Sequence, residues 1–381
     1  MIPFSFKKKN IIIFSAQSWG EMHLSKHHYA IALANLGNEV YFVNPPTSTF
    51  QEITIESHQN FKNLYIINSG YRYIEKFRFH FNFGFRVLTK YNVYKIIKKI
   101  NKRIDIVWNF DFLGYCHYSL FKNAIKIAHP VDFTKKKYLP LIKGADLIFS
   151  VANEILEEFN KFNIPSYFIN HGISDDFINN FDSPQEINTT KLKVGYVGNL
   201  LRLDIDYDII LSLIHNNPEV EFVFIGNYTP SNIGGSLTMN AELFINALKE
   251  RENVTLKGVL KNVELPCEMN KLDIFLISYN KEKDSCRGTN YHKVMEYLST
   301  GKVVISNHIT TYSGNNLIQM PEKYESNKSI INIFNEIKSN IKLYNNKENQ
   351  IKRIAFAKEN TYVKQIERIE NIINTLKNGQ L

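Results

Sequence analysis

The feature that most constrains the fold is a regular alternation of strand-like and helix-like segments along the 381-residue chain. Short runs of β-branched and aromatic residues are each followed by a segment with helical periodicity, a pattern typical of α/β domains with parallel sheets. In the first half we predict helices at His27–Leu36 and Asn153–Phe162, and Gly37 stands where a helix-ending glycine belongs. The strands predicted there are Ile11–Ser15, Glu39–Val43, Leu64–Ile67, Asp105–Trp108, Ile125–Ala128, Leu147–Ser150 and Tyr167–Ile169.

A polar segment, NNFDSPQEINTT at Asn179–Thr190, interrupts this alternation. It contains a proline and has no hydrophobic periodicity, so we interpret it as a linker. The strands predicted after it are Lys193–Val197, Val220–Ile225, Val254–Leu256, Ile274–Ile277 and Val303–Ser306. The predicted parts are an N-terminal Rossmann-like domain at 1–180, a linker at 181–190, a C-terminal Rossmann-like domain at 191–355 and a C-terminal helix at 356–381 that packs back on the N-terminal domain.

Composition narrows the classes of partner and the location. The formal net charge of +9 favours anionic partners, namely a nucleotide, a nucleic acid or an acidic membrane surface. Cys116, Cys267 and Cys286 fit no zinc or redox spacing and indicate a reducing compartment. The apolar run Ile11–Ala16 is too short for a signal peptide, and no run reaches the roughly 18 apolar residues of a membrane-spanning helix. We therefore expect a cytoplasmic protein whose membrane contact, if any, is peripheral.

The segment Ser285–Ser306, SCRGTNYHKVMEYLSTGKVVIS, carries the strongest chemical signal. A polar loop leads into a short helix that ends at Gly301 and is followed by a β-branched strand. A helix N-terminus presents unpaired backbone N–H groups, which suit a phosphate. Lys293 and Glu296 are three residues apart and share one face of that helix. Two interpretations stay open: a phosphate site with a nearby carboxylate for sugar or ribose hydroxyls, or a strand–helix unit with a solvated ion pair.

Five segments, taken in order, resemble retaining GT-B glycosyltransferases of family 4, and most closely the bacterial cell-surface polysaccharide enzymes of the teichuronic acid type. They are Ser25–Pro46, Gly144–Ser174, Val194–Leu200, Leu265–Tyr279 and Thr289–Ser306. The resemblance implies two Rossmann-like domains whose parallel sheets face each other across a cleft. It also implies transfer of a sugar, with retention, from a nucleotide-diphosphate-sugar donor to a glycan acceptor that is expected to be lipid-linked. No metal and no other cofactor is implied, because a helix dipole and cations neutralise the diphosphate in this fold.

The resemblance also assigns donor-binding residues. Glu296 takes the place of the second Glu of the family's paired-Glu motif, which holds the ribose, whereas the first Glu falls at Gly288. Asn290 and Lys293 match cell-surface members that carry Asn and Lys before the second Glu.

The loop Gly198–Asp206 resembles the one that passes the diphosphate, and Arg202 is its only cation. The alternative is a surface Arg202 paired with Asp204 or Asp206. The tripeptide Asp204-Ile-Asp206 also matches a two-carboxylate metal motif, but Asp206 lies where a helix N-cap is expected, so no metal site is predicted.

Acceptor-side residues are predicted from the loops of the first domain. Gly20 lies in a loop that resembles the family's first-strand loop, and His27 and His28 begin the next helix, where each faces either the cleft or solvent. His129 follows a strand and resembles a His kept near the reacting sugar, and Asp132 is the second candidate. One of the two would orient or deprotonate the acceptor hydroxyl, unless His129 is simply a turn residue beside a proline.

The segment Tyr71–Arg103 is unusual because it contains ten Lys or Arg, nine Phe or Tyr and the single acid Glu75. Basic residues with aromatic anchors are typical of segments that lie on anionic lipid. The alternatives are aromatic side chains that belong to the core, or stacking on single-stranded nucleic acid; nothing else in the chain resembles a nucleic-acid-binding fold, so no nucleic-acid partner is predicted. The candidates for membrane contact are Arg78, Arg86, Lys95, Lys98, Lys99 and Lys102.

Two rival functions remain at this point. A nucleotide-sugar epimerase on the same fold would need no acceptor. A catalytically silent GT-B module that docks at the membrane would bind lipid without nucleotide, and the Gly at position 288 together with the few cations near the diphosphate favours it.

Overall fold

The chain forms two compact units in the computed structural model, one made of Met1–Asn170 with Tyr362–Leu381 and the other of His171–Thr361. The structure describes residues 3–20, 23–47, 49–50, 52–70, 81–181, 183–185, 191–229, 238–261, 263–323 and 327–379. The first unit ends before the predicted linker, and Asp182 and 186–190 of that linker lie outside the described residues. The C-terminal helix belongs to the first unit and begins at Tyr362, six residues later than the predicted 356.

The first unit is built on one eight-stranded sheet with the strand order β3-β4-β2-β1-β5-β6-β7-β8. All neighbouring strands are parallel except β3 and β4. The strands are β1 Asn10–Phe14, β2 Glu39–Val43, β3 Thr54–Ser57, β4 Leu64–Asn68, β5 Ile106–Asn109, β6 Ile125–Ala128, β7 Leu147–Ser150 and β8 Ser166–Phe168. Strand β3 was not predicted, because three of the four residues in its sequence TIES are polar and it pairs on one side only, at the sheet edge.

The described α-helices of this unit are α1 Ser25–Asn35, α2 Asn82–Ile100, α3 Asn153–Glu157 and α12 Tyr362–Lys377. Helix α3 is shorter than predicted, since a 3-10 turn replaces its last part at Asn160–Phe162. The C-terminal helix α12 packs on α1, where the Tyr362 ring lies 5.0 Å from the rings of His28 and Tyr29. The side chains of Glu370 and Asn374 on α12 also accept hydrogen bonds from the backbone near the N-terminus.

The second unit is built on a five-stranded, fully parallel sheet with the order β11-β10-β9-β12-β13. Its strands are β9 Lys193–Val197, β10 Glu221–Ile225, β11 Val254–Gly258, β12 Ile274–Ile277 and β13 Val303–Ser306. Its α-helices are α4 Asp175–Ile178, α5 Tyr207–Asn216, α6 Met239–Lys249, α7 Leu265–Asn270, α8 Lys293–Ser299, α9 Lys328–Ser339, α10 Ile341–Tyr344 and α11 Lys347–Lys358.

The central strands of both sheets are buried on both faces, which is why they read as continuous apolar runs. Because the strands are parallel, the loops that follow them meet at one edge of each sheet, where ligands of α/β domains bind. In the second unit that edge brings together the residues after β9, β12 and β13. Within the described part of the chain, no helix is both long enough and apolar enough to cross a bilayer.

Candidate functional site

At the carboxyl edge of the second sheet, a lysine from α8 contacts the end of β9. Lys293 Nζ donates a hydrogen bond to the carbonyl oxygen of Val197. The backbone of the next residue, Gly198, has φ +151°, and a Cβ built on it would lie 1.7 Å from Lys293 Nζ. A side chain at position 198 would displace the Lys293 ammonium and strain the backbone, so this strand end favours glycine.

The environment of Lys293 favours binding of an anion. Its side chain is partly buried, with Nζ 5.4 Å from the centre of the Tyr196 ring. Burial lowers the pKa of Lys293 to about 8, and the nearby Glu296 acts in the opposite direction. An ammonium has three N–H donors, and the bond to Val197 uses one of them. A phosphate oxygen can therefore gain a charge-assisted hydrogen bond from Lys293 without breaking the contact with β9.

Glu296 lies one helical turn after Lys293 on α8. Its side chain is 24% exposed, and its Oε1 lies 3.8 Å from Nδ1 of His292. The open alternative, a fully solvated Lys–Glu pair, does not describe these side chains, since both are partly buried. A carboxylate held beside an ammonium at a strand edge can accept hydrogen bonds from the hydroxyls of a ligand.

The loop before α8 is organised by Asp284, a residue that the sequence analysis did not select. Its carboxylate accepts hydrogen bonds from the backbone N–H of Cys286 at 2.9 Å and of Gly288 at 2.7 Å, and from the hydroxyl of Tyr291 at 2.5 Å. Gly288 has φ +66°, a conformation that favours glycine, and its N–H points at Asp284. Gly288 therefore shapes the loop, and its predicted donor contact cannot be made through this N–H. Asn290, in the same loop, is buried.

Arg202 is paired with a neighbouring acid, which was the alternative to a diphosphate contact. Its guanidinium is paired with Asp204 through two N–H groups and lies 4.9 Å from the centre of the Tyr279 ring. Bonding to Asp204 raises the pKa of Arg202 above its usual range. Asp206 is the N-cap of α5, as predicted, and accepts the N–H of Ile209. Both carboxylates are thus engaged, and no group of three or more His, Cys, Asp or Glu side chains suited to a metal occurs among the described residues.

In the first unit, His129 follows β6 and is surrounded by aromatic rings. It is 1% exposed, and the rings of Phe110 and Tyr29 lie 4.8 Å and 5.4 Å from it. Its Nδ1 accepts the indole N–H of Trp108 at 3.2 Å, which places the proton of the neutral ring on Nε2. Burial lowers the pKa of His129 to about 3. In this form Nε2 carries the hydrogen and does not accept a proton, so the geometry does not favour His129 as the base, and its place near the acceptor stays a prediction. Asp132 is exposed and remains the candidate base.

The other acceptor-side predictions need one correction. His27 is buried, its Nδ1 accepts the N–H of Leu24 at 2.9 Å, and its Nε2 lies 3.3 Å from the carbonyl oxygen of Ser18. Both ring nitrogens are engaged at the start of α1, so His27 supports the helix and does not face an acceptor. His28 stacks on Tyr362 of α12. Gly20 is exposed, and no described atom lies within 4 Å of a Cβ built there, so its predicted role stays a prediction.

A buried lysine that the sequence analysis missed lies at the same edge of the first sheet. Lys26, in the first turn of α1, is 5% exposed, and its Nζ donates a hydrogen bond to Oε1 of Gln17. Burial lowers the pKa of Lys26 to about 8, while the carboxylates of Asp132 and Asp111 raise it. These groups follow β1, β5 and β6, three neighbouring strands. The polar character of the first edge is thus concentrated around Lys26 and Asp132.

The residues predicted to face a membrane lie on and after α2. Arg86, Lys95, Lys98 and Lys99 are exposed, although Lys99 Nζ also donates a hydrogen bond to the carbonyl oxygen of Ile53. Lys102 forms an ion pair with Glu39 at 2.6 Å. Arg78 lies outside the described residues.

No protein-family model and no curated protein matches the sequence. Solved structures match along nearly the whole chain. A sucrose-phosphate synthase from Thermosynechococcus elongatus superposes with a TM-score of 0.70 at 12% identity, covering 98% of this chain and 100% of that one. Anabaena HepE in complex with UDP and glucose gives 0.64 at 12% identity, with coverages of 96% and 100%. The lipopolysaccharide outer core galactosyltransferase WaaB gives 0.65 at 13% identity, with coverages of 95% and 98%. The likeness shows that this chain has the GT-B fold and confirms that prediction.

Proposed function

We propose that the protein transfers a sugar from a nucleotide-diphosphate-sugar donor to a glycan acceptor. The observation that carries the proposal is the grouping of Lys293 and Glu296 beside Gly198 at the carboxyl edge of the second sheet. A GT-B fold supports it, as does the structure of HepE with UDP and glucose. The proposed acceptor is lipid-linked, and the proposed place of work is the inner face of the plasma membrane, in synthesis of a surface polysaccharide.

The proposed roles follow from the chemistry of each side chain. Glu296 accepts hydrogen bonds from the hydroxyls of the donor's nucleoside, and Lys293 donates a hydrogen bond to the diphosphate. As the glycosidic bond breaks, negative charge grows on the leaving diphosphate, and an ammonium already aimed at it lowers the barrier. In the first unit, Asp132 accepts the proton of the acceptor hydroxyl. The proposed transfer retains the configuration of the anomeric carbon and uses no metal.

The first experiment is a thermal-shift panel of UDP-, GDP-, ADP- and dTDP-sugars on the wild type, Glu296→Ala and Glu296→Gln. At least one sugar nucleotide should raise the melting temperature of the wild type, and Glu296→Ala should abolish that shift. Glu296→Gln keeps the shape and part of the hydrogen bonding, so it should retain a smaller shift. A shift that persists unchanged in Glu296→Ala would place the nucleotide elsewhere.

The rival functions give other outcomes with the same ligand. A silent module would show no shift with any sugar nucleotide. An epimerase would convert the shifting sugar nucleotide to its epimer without an added glycan, which NMR of the anomeric proton detects. The transferase instead releases nucleoside diphosphate at a rate that rises when glycan is added.

A further inference from the structure

The helix α2 has one face that is fully used by the fold. Phe85, Val93, Ile96 and Ile100 are buried, and the last three join the core beneath the sheet of the first unit. Val93, Ile96 and Ile100 therefore form the core-facing side of an amphipathic helix. The interpretation of these apolar residues as core therefore holds for the inner face of α2 only.

The opposite face of α2 exposes large apolar side chains. Phe83 is 75% exposed, Tyr91 56%, Tyr94 52% and Val87 52%. Phe83, Val87 and Tyr91 follow one another at intervals of four residues, so they form one row along the outside of the helix. Tyr94, three residues after Tyr91, lies on the same face. Single exposed apolar residues are common, but four of them on one helix face mark a contact surface.

Basic side chains flank this row. Arg86 and Lys90 lie on one side of it, Lys95 lies on the other, Lys98 continues it one turn after Tyr94, and α2 contains no Asp or Glu. Lys95 Nζ lies 5.7 Å from the centre of the Tyr91 ring. None of these four side chains forms an ion pair with an acid in the described ranges. The row and its flanks extend about 22 Å from Phe83 to Lys98 at the rise of an α-helix.

A groove beside the helix extends the positive surface. It has a volume of about 380 Å³ and is lined by Lys95, Lys98 and Lys99 of α2 and by Glu52 and Ile53 of the segment before β3. Three ammonium groups around one groove suit an oxygen-rich anionic headgroup.

We propose that the outer face of α2, defined by Phe83, Arg86, Val87, Lys90, Tyr91, Tyr94, Lys95 and Lys98, docks on an anionic phospholipid bilayer. Aromatic side chains of this kind insert at the level of the headgroups, while flanking Lys and Arg bind acidic lipids. This face is apolar along its middle and positive on both sides, which suits a negatively charged bilayer surface. This docking rests on the proposed function, because a lipid-linked acceptor lies at the bilayer surface.

The test is co-sedimentation of the full chain with phosphatidylcholine vesicles that contain or lack phosphatidylglycerol. The wild type should bind the phosphatidylglycerol vesicles and bind the neutral ones much more weakly. Changing Arg86, Lys90, Lys95 and Lys98 to Gln should weaken binding by about fivefold for each side chain at low salt. Changing Phe83, Tyr91 and Tyr94 to Ser should weaken it by about tenfold or more, with little dependence on salt.

Each variant has a matched control in the second unit. Lys249, Lys261, Lys342 and Lys347 are exposed and remove the same charge when changed to Gln. Met239, Leu243 and Leu343 are exposed apolar residues and are changed to Ser. Both controls should bind vesicles like the wild type. Equal losses in the controls would mean that net charge or general hydrophobicity drives binding, and the proposal would be overturned.

Three further results would overturn it: no vesicle binding by the wild type, equal binding to neutral vesicles, or capture of poly(dT) in place of vesicles. Thermal shift by the sugar nucleotide, measured on the same variants, reports folding and the donor site independently. Vesicle binding without any nucleotide shift would contradict the proposed function and leave the docking surface standing. A nucleotide shift without vesicle binding would contradict the docking surface and leave the proposed function standing.

Discussion

The central strands of both sheets are parallel, but the side chains that follow them differ in chemistry. At the first edge, His129 is enclosed by aromatic rings, among them Trp108 and Tyr29. At the second edge, a carboxylate, Asp284, orders a polar loop through backbone and hydroxyl hydrogen bonds. Parallel strands determine where a site lies. The residues after each strand determine whether packed rings or a hydrogen-bonded polar loop line that site.

A lysine lies at each edge, Lys26 buried and Lys293 partly buried, and the two differ in their hydrogen-bond partners. Lys26 is bonded to Gln17 and lies near two carboxylates, Asp111 and Asp132. Lys293 is bonded to a backbone carbonyl, and the carboxylates of Glu296 and Asp204 raise its pKa. We expect Lys293 to bind the anionic donor. Lys26 is expected mainly to neutralise the carboxylates near it.

The largest expected effect is on the free energy of unfolding, when the aromatic cluster around His129 is disrupted. Trp108 is fully buried, so Trp108→Ala should lower the free energy of unfolding by about 3–5 kcal/mol, because it leaves a cavity. Trp108→Phe keeps a ring and loses mainly the hydrogen bond to His129, so it should cost about 1–3 kcal/mol. Urea unfolding measures both. Equal losses in the two variants would show that ring packing does not hold this edge together.

The next effect concerns the polar loop of the second edge. Asp284→Ala removes the acceptor of three hydrogen bonds and should lower the free energy of unfolding by about 2–3 kcal/mol. It should also reduce the thermal shift by the sugar nucleotide, since the loop leads directly into α8. Asp284→Asn retains one carbonyl acceptor and should fall between wild type and Ala. Unchanged nucleotide binding in Asp284→Ala would separate this loop from the donor site.

The two lysines can be compared directly by the same substitution. Lys293→Met should weaken donor binding by about 10- to 100-fold, the range for loss of a hydrogen bond to a charged group. Lys26→Met, in the other unit, should leave donor affinity as it is in the wild type. Titration calorimetry with the sugar nucleotide measures both constants. The reverse ranking of the two variants would assign the donor to the first edge.

The smallest expected effect comes from pH. The pKa of Lys293 is about 8, so donor affinity should fall as pH rises through 8, by no more than about tenfold per pH unit for one proton. Stability has the opposite sign. The folded pKa is below the ordinary value of 10.5, so the unfolded chain holds more protons between the two values, and the free energy of unfolding rises with pH across that window. Lys293→Met should remove its share of both slopes.

The fold could be predicted to a large extent because buried parallel strands leave a clear record in the sequence. Ile274–Ile277 and Val303–Ser306 have the predicted bounds, since they are apolar on both faces. Strand β3 left no such record, because an edge strand with polar residues resembles a loop. Helix α3 was predicted too long, since nothing in its local sequence shows the 3-10 turn that follows.

The site was predictable only where its residues are neighbours in the sequence. Lys293 and Glu296 lie on one short helix, so their proximity follows from spacing alone. Lys26 is separated by about a hundred residues from the acids that face it, and one sequence gives no measure of such contacts. Asp284 had a usable signal, an Asp shortly before a glycine in a polar loop, which is typical of a turn organised by a side chain. The enclosure of His129 depends on rings from several strands and could not be read from its own segment.

Amide hydrogen exchange tests the central claim, that the second edge holds the donor, most directly. The wild type is compared with and without the sugar nucleotide that gives the largest thermal shift. We predict slower exchange in Asp284–Ser299 and at Gly198, and no such slowing in Glu296→Ala at the same ligand concentration. Protection confined to other segments, with Asp284–Ser299 unchanged, would contradict the account.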